Sequence, residues 1–181
     1  MKSIVVFCGS SDGDNEAFVT DAYALGKILA EQEITLVYGG ARIGLMGKVA
    51  QGALEANGKV IGVIPDFLKE REVYHSGLTE LIITKDMHER KMLMHELTAG
   101  VIMLPGGYGT LEEFFEMLTW GQLNLHQKPI GILNIDGFYD DLLAVLQKMV
   151  NRGFVKQENY DMILVDTSIQ GLLTKMESYH V

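Results

Sequence analysis

The stretch ITLVYGGARIGLMGKVAQGALEANGKVIGVI, residues 34–64, carries the reading of the fold. Its two ends, residues 34–38 and 59–64, are short apolar runs without polar alternation, as expected of strands covered by helices on both faces. Between them residues 44–57 have helical period, and Asn57-Gly58 supplies a helix stop. A strand, a glycine-rich loop, a helix and a second strand make one βαβ crossover. Such crossovers are right-handed and place their strands parallel.

The same alternation runs outward in both directions. Residues 3–8, 78–84, 100–104, 129–133 and 162–165 read as further strands, and 17–32, 87–99, 110–124, 138–152 and 168–178 as further helices. The expected fold class is therefore α/β: one doubly wound, Rossmann-like parallel sheet with helices on both faces. A length of 181 residues falls in the range of roughly 100–200 for one domain, and no repeat, linker or low-complexity stretch divides it.

Composition narrows the function classes. With 48% hydrophobic and 22% charged residues the chain reads as globular rather than disordered. A net charge of −9 argues against nucleic acid or an anionic membrane as partner, yet leaves room for a small anion held by a few local donors. One cysteine, Cys8, excludes a disulfide framework and reads as an inert core thiol in the run Ile4-Val5-Val6-Phe7-Cys8. No apolar run approaches the roughly 18 residues of a membrane span. Met1-Lys2-Ser3 leads straight into a strand-like run without a cleavage-site pattern, so a cytoplasmic location is expected.

In a doubly wound sheet, ligands bind beyond the carboxyl ends of the strands. Three glycine-rich loops follow strands and should open on that edge: residues 9–13, 39–47 and 105–110. Gly9, Ser10, Gly39 and Gly40 are binding candidates on this ground. In the third loop Gly106, Gly107 and Gly109 let the backbone approach a ligand and adopt positive φ. Thr110 then opens a helix whose first amides point outward, a ready phosphate site. An alternative for this loop is purely structural: a tight turn, with Thr110 and Glu113 forming a capping box. The loop is not the dinucleotide fingerprint, and a mononucleotide or sugar phosphate suits it better.

Arg90 lies three, four and seven residues before Leu93, Met94 and Leu97, so it continues the apolar stripe of its helix. It serves either as a structural salt bridge, or with its stem buried and its head in solvent, or faces the glycine-rich edge to hold a phosphate or a catalytic carboxylate. Its place in the first turn after a strand favours the last. Glu112 and Glu113 are adjacent and cannot face one site, so only one should act. Histidines 75, 88, 95, 126 and 180 make no recognisable metal motif, and Asp12 and Asp14 read as turn and cap residues. Nothing marks Lys91 for a Schiff base. The helix from Thr110 carries Leu111, Phe114, Phe115, Met117, Leu118 and Trp120, more than one apolar stripe, which points to a homodimer.

Pro105-Gly106-Gly107-Tyr108-Gly109-Thr110-Leu111-Glu112-Glu113 resembles the P-G-G-x-G-T-x-x-E motif of the LONELY GUY family, whose members were long mislabelled as lysine decarboxylases. Met87-His88-Glu89-Arg90-Lys91 resembles that family's second motif, and Val37-Tyr38-Gly39-Gly40, Gly44-Leu45-Met46-Gly47 and Gln127-Lys128-Pro129-Ile130-Gly131 also fit. The resemblance spans nearly the whole chain. It implies a phosphoribohydrolase that splits a nucleoside 5'-monophosphate into free base and ribose 5-phosphate, typically an adenine nucleotide prenylated on the exocyclic amine, sometimes AMP itself. It implies that Arg90 and Glu113 are catalytic, and that Glu72, Arg90, Lys91, Gly107, Tyr108, Gly109, Thr110, Leu111, Glu112, Glu113 and Thr119 contact the nucleotide. It further implies a dimer or larger assembly, with no metal or organic cofactor and no pyridoxal phosphate. Residues 1–181 are then expected to form a single nucleotide-binding Rossmann-like domain. A non-catalytic nucleotide or cofactor carrier is the alternative of a different class, and Glu113 separates the two, since a carrier needs no carboxylate beyond a cap.

Overall fold

The unit at residues 34–64 is built as β2 (Thr35–Tyr38), α2 (Gly44–Glu55) and β3 (Val60–Pro65), in a computed structural model that describes residues 1–69 and 73–179. Before it come β1 (Ser3–Phe7) and α1 (Glu16–Glu31). After it come β4 (Glu80–Thr84), α3 (Met87–Leu97), β5 (Val101–Met103), α4 (Tyr108–Gln122), β6 (Ile130–Leu133), α5 (Asp140–Asn151), α6 (Gln157–Tyr160), β7 (Ile163–Asp166) and α7 (Ile169–Glu177). The strands form one seven-stranded sheet of order β4-β3-β2-β1-β5-β6-β7, and every pairing in it is parallel. This is the doubly wound α/β arrangement expected from the alternation.

The strands lack polar alternation because both of their faces are covered. All six residues of β3 are buried. One face packs Leu25 and Leu29 of α1, Leu45 and Val49 of α2 and Leu172 and Leu173 of α7 against Ile4, Val6 and Leu36. The other packs Met94 of α3 and Phe114 and Met117 of α4 against Val5, Val37 and Met103, with Leu142 and Leu143 of α5 at its margin. α1 and α2 touch backbone to backbone: a Cβ on Gly26 would stand 1.9 Å from the Val49 carbonyl oxygen, and one on Gly52 2.0 Å from that of Tyr23. Sequence periodicity had no means of marking these two glycines as a helix-crossing point.

The turns differ in detail from expectation. Asn15, not Asp14, caps α1, its side chain accepting from the Ala17 amide at 2.9 Å. Past α2 it is Asn57 that takes the left-handed conformation (φ 60°), and Gly58 is small because a Cβ there would lie 2.4 Å from that of Ala30. α5 begins two residues later than expected, after a 3₁₀ turn over Ile135–Gly137 in which Asp136 has φ 51°. α6, four residues long, is too short for a period to reveal it.

The strand order reverses at β1, which has β2 on one side and β5 on the other. The loops leaving β1 and β5 therefore diverge to opposite faces and open a crevice at the carboxyl edge of the sheet. Among the described residues no helix is long and apolar enough to cross a membrane.

Far from that crevice, His95 on α3 packs edge-on against Trp120, with ring centroids 5.1 Å apart, and lies 5.3 Å from the His126 ring. Lys128 donates to the His95 carbonyl, and its Nζ is 3.3 Å from His95 Nδ1. Burial, then the neighbouring Lys128 and His126, push His95 down from 6.5 to about 4. Folded His95 therefore refuses a proton that the unfolded chain accepts, so its contribution is complete above about pH 6.5 and is lost as pH falls toward 4. The unfolding midpoint of the native chain should drop more steeply from pH 6.5 to 4.5 than that of His95→Gln. Parallel pH profiles for the two would remove His95 from this linkage.

Candidate active site

The loop after β5 sets one wall of the crevice. α4 starts at Tyr108, two residues earlier than expected, with Gly107 as N-cap and no side chain capping it. The capping box of Thr110 and Glu113 is therefore absent: Thr110 lies within the first turn and is 4% exposed, and Glu113 stands three residues past the box position. Without a capping side chain, the first-turn amides have no partner within the helix and face outward. The expected positive φ is also absent from Gly106, Gly107 and Gly109; within the glycine-rich loops it is Gly13, Gly40 and Gly44 that are left-handed. Gly106 is needed for space, since a Cβ there would fall 2.1 Å from Thr110 Oγ1 and 2.9 Å from the Gly9 amide nitrogen. Gly107 and Gly109 are different, because a Cβ on either would meet nothing within 4 Å. Neither packing nor backbone strain calls for glycine at these two positions. Their bare backbone is suited to a ligand lying against it.

Arg90 comes from α3, whose start is capped by Asp86 accepting from the Glu89 amide at 2.9 Å. Only 5% exposed, Arg90 runs up to the carboxyl edge of the sheet. Its Nε donates to the Val63 carbonyl at 3.1 Å and Nη2 to the Gly39 carbonyl at 3.3 Å, while Nη1 stands 3.9 Å from Glu113 Oε1. Arg90 thus resolves toward the glycine-rich edge and a carboxylate, not toward solvent. The pair with Glu113 is an ion pair longer than a direct charged hydrogen bond of roughly 2.7–2.9 Å.

The two adjacent glutamates diverge as their helical spacing requires. Glu112 turns to Lys91, with Nζ to Oε1 at 2.6 Å, and Glu116 adds a second carboxylate at 3.0 Å. Burial pulls the Lys91 ammonium down, but Glu112 and Glu116 outweigh it and the net shift is upward. A lysine held protonated in this way is a poor Schiff-base nucleophile. Glu113 instead turns into the crevice with its side chain 13% exposed. Cys8 lies near it: burial first, and the Glu113 charge second, push the thiol up, consistent with the inert thiol expected.

These groups meet in a cavity of about 410 Å³, a size suited to a small ligand. Gly9 and Ser10 after β1, Gly39 after β2, and Gly107, Tyr108, Gly109 and Thr110 line it together with Arg90, Glu112 and Glu113. Gly40 lies behind Gly39, turned at φ 82° against Ile64 and Leu81. Gly106 and Pro105 face a neighbouring hollow of about 340 Å³ across Gly9 and Gly107. Leu111 is half-buried against the second core, Lys91 is occupied by Glu112 and Glu116, and Thr119 is exposed on α4 outside the cavity. Glu72 lies outside the described residues. Met46, Leu68 and Met87 also line the cavity and form an apolar wall that sequence reasoning did not single out. Met46 and Met87 fall within two of the quoted motifs, whereas Leu68 falls in none. A larger hollow of about 530 Å³, between the end of α4 and α6, contains neither Arg90 nor Glu113. Among the described residues no group of three His, Cys, Asp or Glu side chains is placed to hold a metal ion.

A family model described as "Possible lysine decarboxylase" matches residues 46–176. A probable cytokinin riboside 5'-monophosphate phosphoribohydrolase of Oryza sativa subsp. japonica is 46% identical over 176 residues, 97% of this chain and 79% of that protein. The chain belongs to this phosphoribohydrolase family. A bacterial member, the cytokinin riboside 5'-monophosphate phosphoribohydrolase of Rhodococcoides fascians, is 44% identical over 178 residues, 98% of this chain and 90% of its own length. The family fold extends to more distant proteins: the molybdenum cofactor binding protein of Rippkaea orientalis superposes with a TM-score of 0.73 over 98% of this chain and 97% of its own. At 23% identity that likeness concerns the fold alone.

Proposed function

We infer that the cavity binds a nucleoside 5'-monophosphate and hydrolyses its N-glycosidic bond, releasing free base and ribose 5-phosphate. The observation that carries this reading is the placement of Glu113, drawn up to Arg90 at 3.9 Å, in the same cavity as the uncapped first turn of α4. The outward amides of that turn, with the bare backbone of Gly107 and Gly109, would take the 5'-phosphate. Anchoring the phosphate there brings the ribose beside Glu113.

Cleavage breaks the bond from C1′ to the base nitrogen. Its electron pair leaves with the base, which takes up a proton, and positive charge develops across the ribose ring as in glycoside hydrolysis. The Glu113 carboxylate stabilises that charge and accepts a proton from the water attacking C1′. Arg90, held on two backbone carbonyls, keeps the carboxylate facing the ring. The apolar wall of Met46, Leu68 and Met87 suits an adenine and a prenyl substituent on it. That substrate class accords with the names of the relatives. The reading also takes residues 1–181 as one nucleotide-binding domain working in the cytoplasm, without nucleic acid as partner. It includes a homodimer: Met92 on α3 and Leu123 and Leu125 past α4 are at least half exposed, and Thr119, outside its own cavity, would reach a nucleotide only from a second copy.

Incubating the pure protein with AMP, N6-prenylated AMP and the corresponding nucleosides, and assaying ribose 5-phosphate, tests the reading. Both nucleotides should be cleaved and the nucleosides should be poor substrates. Nucleotide that binds but is never cleaved would mark a carrier instead.

A further inference from the structure

We propose that Gly39 is a positioning residue for Arg90: the volume its missing side chain leaves open is where the guanidinium sits. The proposal rests on the catalytic reading of Arg90 and Glu113 above. A Cβ built on Gly39 would lie 2.4 Å from Arg90 Nη2, with the Met46 sulfur at 2.8 Å and Arg90 Cζ at 3.7 Å. Gly39 is not among the residues with positive φ, so backbone strain does not require glycine. It is the space that requires it. The neighbouring Gly40, at φ 82°, supplies the turn.

The Gly39 carbonyl accepts from Nη2 at 3.3 Å, and Gly39→Ala leaves that acceptor in place. The substitution adds only a methyl group, and Nη2 must retreat by about 1 Å to regain ordinary contact distance. The guanidinium cannot retreat freely, because Nε is held at 3.1 Å on the carbonyl of Val63 in the neighbouring strand β3. It turns about that anchor, and Nη1 leaves its 3.9 Å position against Glu113. Gly39 therefore acts on the reaction through Arg90 and need not touch the nucleotide.

The test is a double-mutant cycle on Gly39→Ala and Arg90→Ala, read in turnover of AMP and in the thermal unfolding midpoint. In the native background Gly39→Ala should lower kcat by at least ~10-fold, as a misplacement near 1 Å does, and should lower the midpoint. In the Arg90→Ala background the guanidinium is gone, and the added methyl should change kcat by no more than about 2-fold and cost little or nothing in midpoint. Equal losses in both backgrounds would overturn the proposal, tracing the effect to Met46 or to the loop. So would Gly39→Ala with native kcat while Arg90→Ala is inactive, and that result leaves the reading of the site intact. Native turnover in Arg90→Ala would remove both. The midpoint cycle reports on the clash even where turnover is too slow to measure.

Discussion

Glu113→Gln lowers nucleotide hydrolysis by at least ~100-fold, the scale of a lost general base or charge-stabilising group. The substitution keeps the size and shape of the side chain and removes its charge. Neutral glutamine cannot offset positive charge on the ribose ring, and it is no acceptor for a proton from water. The fold should be almost indifferent to the change. α4 is started by Gly107, with no contribution from residue 113, so no cap is lost. Arg90 keeps its bonds to the Val63 and Gly39 carbonyls and remains anchored when the carboxylate is gone. The change in unfolding free energy should stay within ~1 kcal/mol. Initial rates of ribose 5-phosphate release, set beside a denaturation curve, check both halves. Native turnover in this variant would leave Glu113 with a structural role only.

Arg90→Lys keeps the positive charge and should still lose about 100-fold in turnover. The guanidinium works as a three-way fork: Nε to Val63, Nη2 to Gly39, Nη1 toward Glu113. A lysine ammonium is a single point on a flexible stem and cannot serve three fixed directions at once. Either it stays on the carbonyls and leaves Glu113 without its cation, or it moves to Glu113 and leaves the carbonyls without a charged donor. Because the site is buried, the second choice also costs stability, on the order of 1–3 kcal/mol. Steady-state kinetics and a urea midpoint on the same preparation distinguish the two. A lysine variant with native kcat would show that charge suffices and that the fork geometry is incidental.

Arg90 was legible from sequence as a charged residue on an apolar stripe, a placement that demands a partner. Which partner was not legible, because Val63, Gly39 and Glu113 come from three other stretches of the chain that meet at one sheet edge. The glycines show the same division. Gly9, Ser10, Gly39, Gly107 and Gly109 were recognisable as loop residues at strand ends, and all line the cavity. Gly40 and Gly106, equally prominent in sequence, serve the turn and the packing behind it. Met46, Leu68 and Met87 were not legible as site residues, since an apolar wall facing a ligand has the same local signature as one facing a helix.

The order and type of the elements follow from local pattern: apolar runs of strand length, helical periods and turn residues at their ends, each a property of near neighbours in the chain. Parallel pairing and the location of the crevice follow from that order, through the handedness of the crossovers. What local pattern leaves open is distance between remote residues. The 3.9 Å separation of Arg90 from Glu113, the clamp of Lys91 between Glu112 and Glu116, and the space that Gly39 leaves for a guanidinium each join segments far apart in sequence. They exist because close packing of helices on both faces of the sheet brings those segments to one edge and allows each side chain only one place to go.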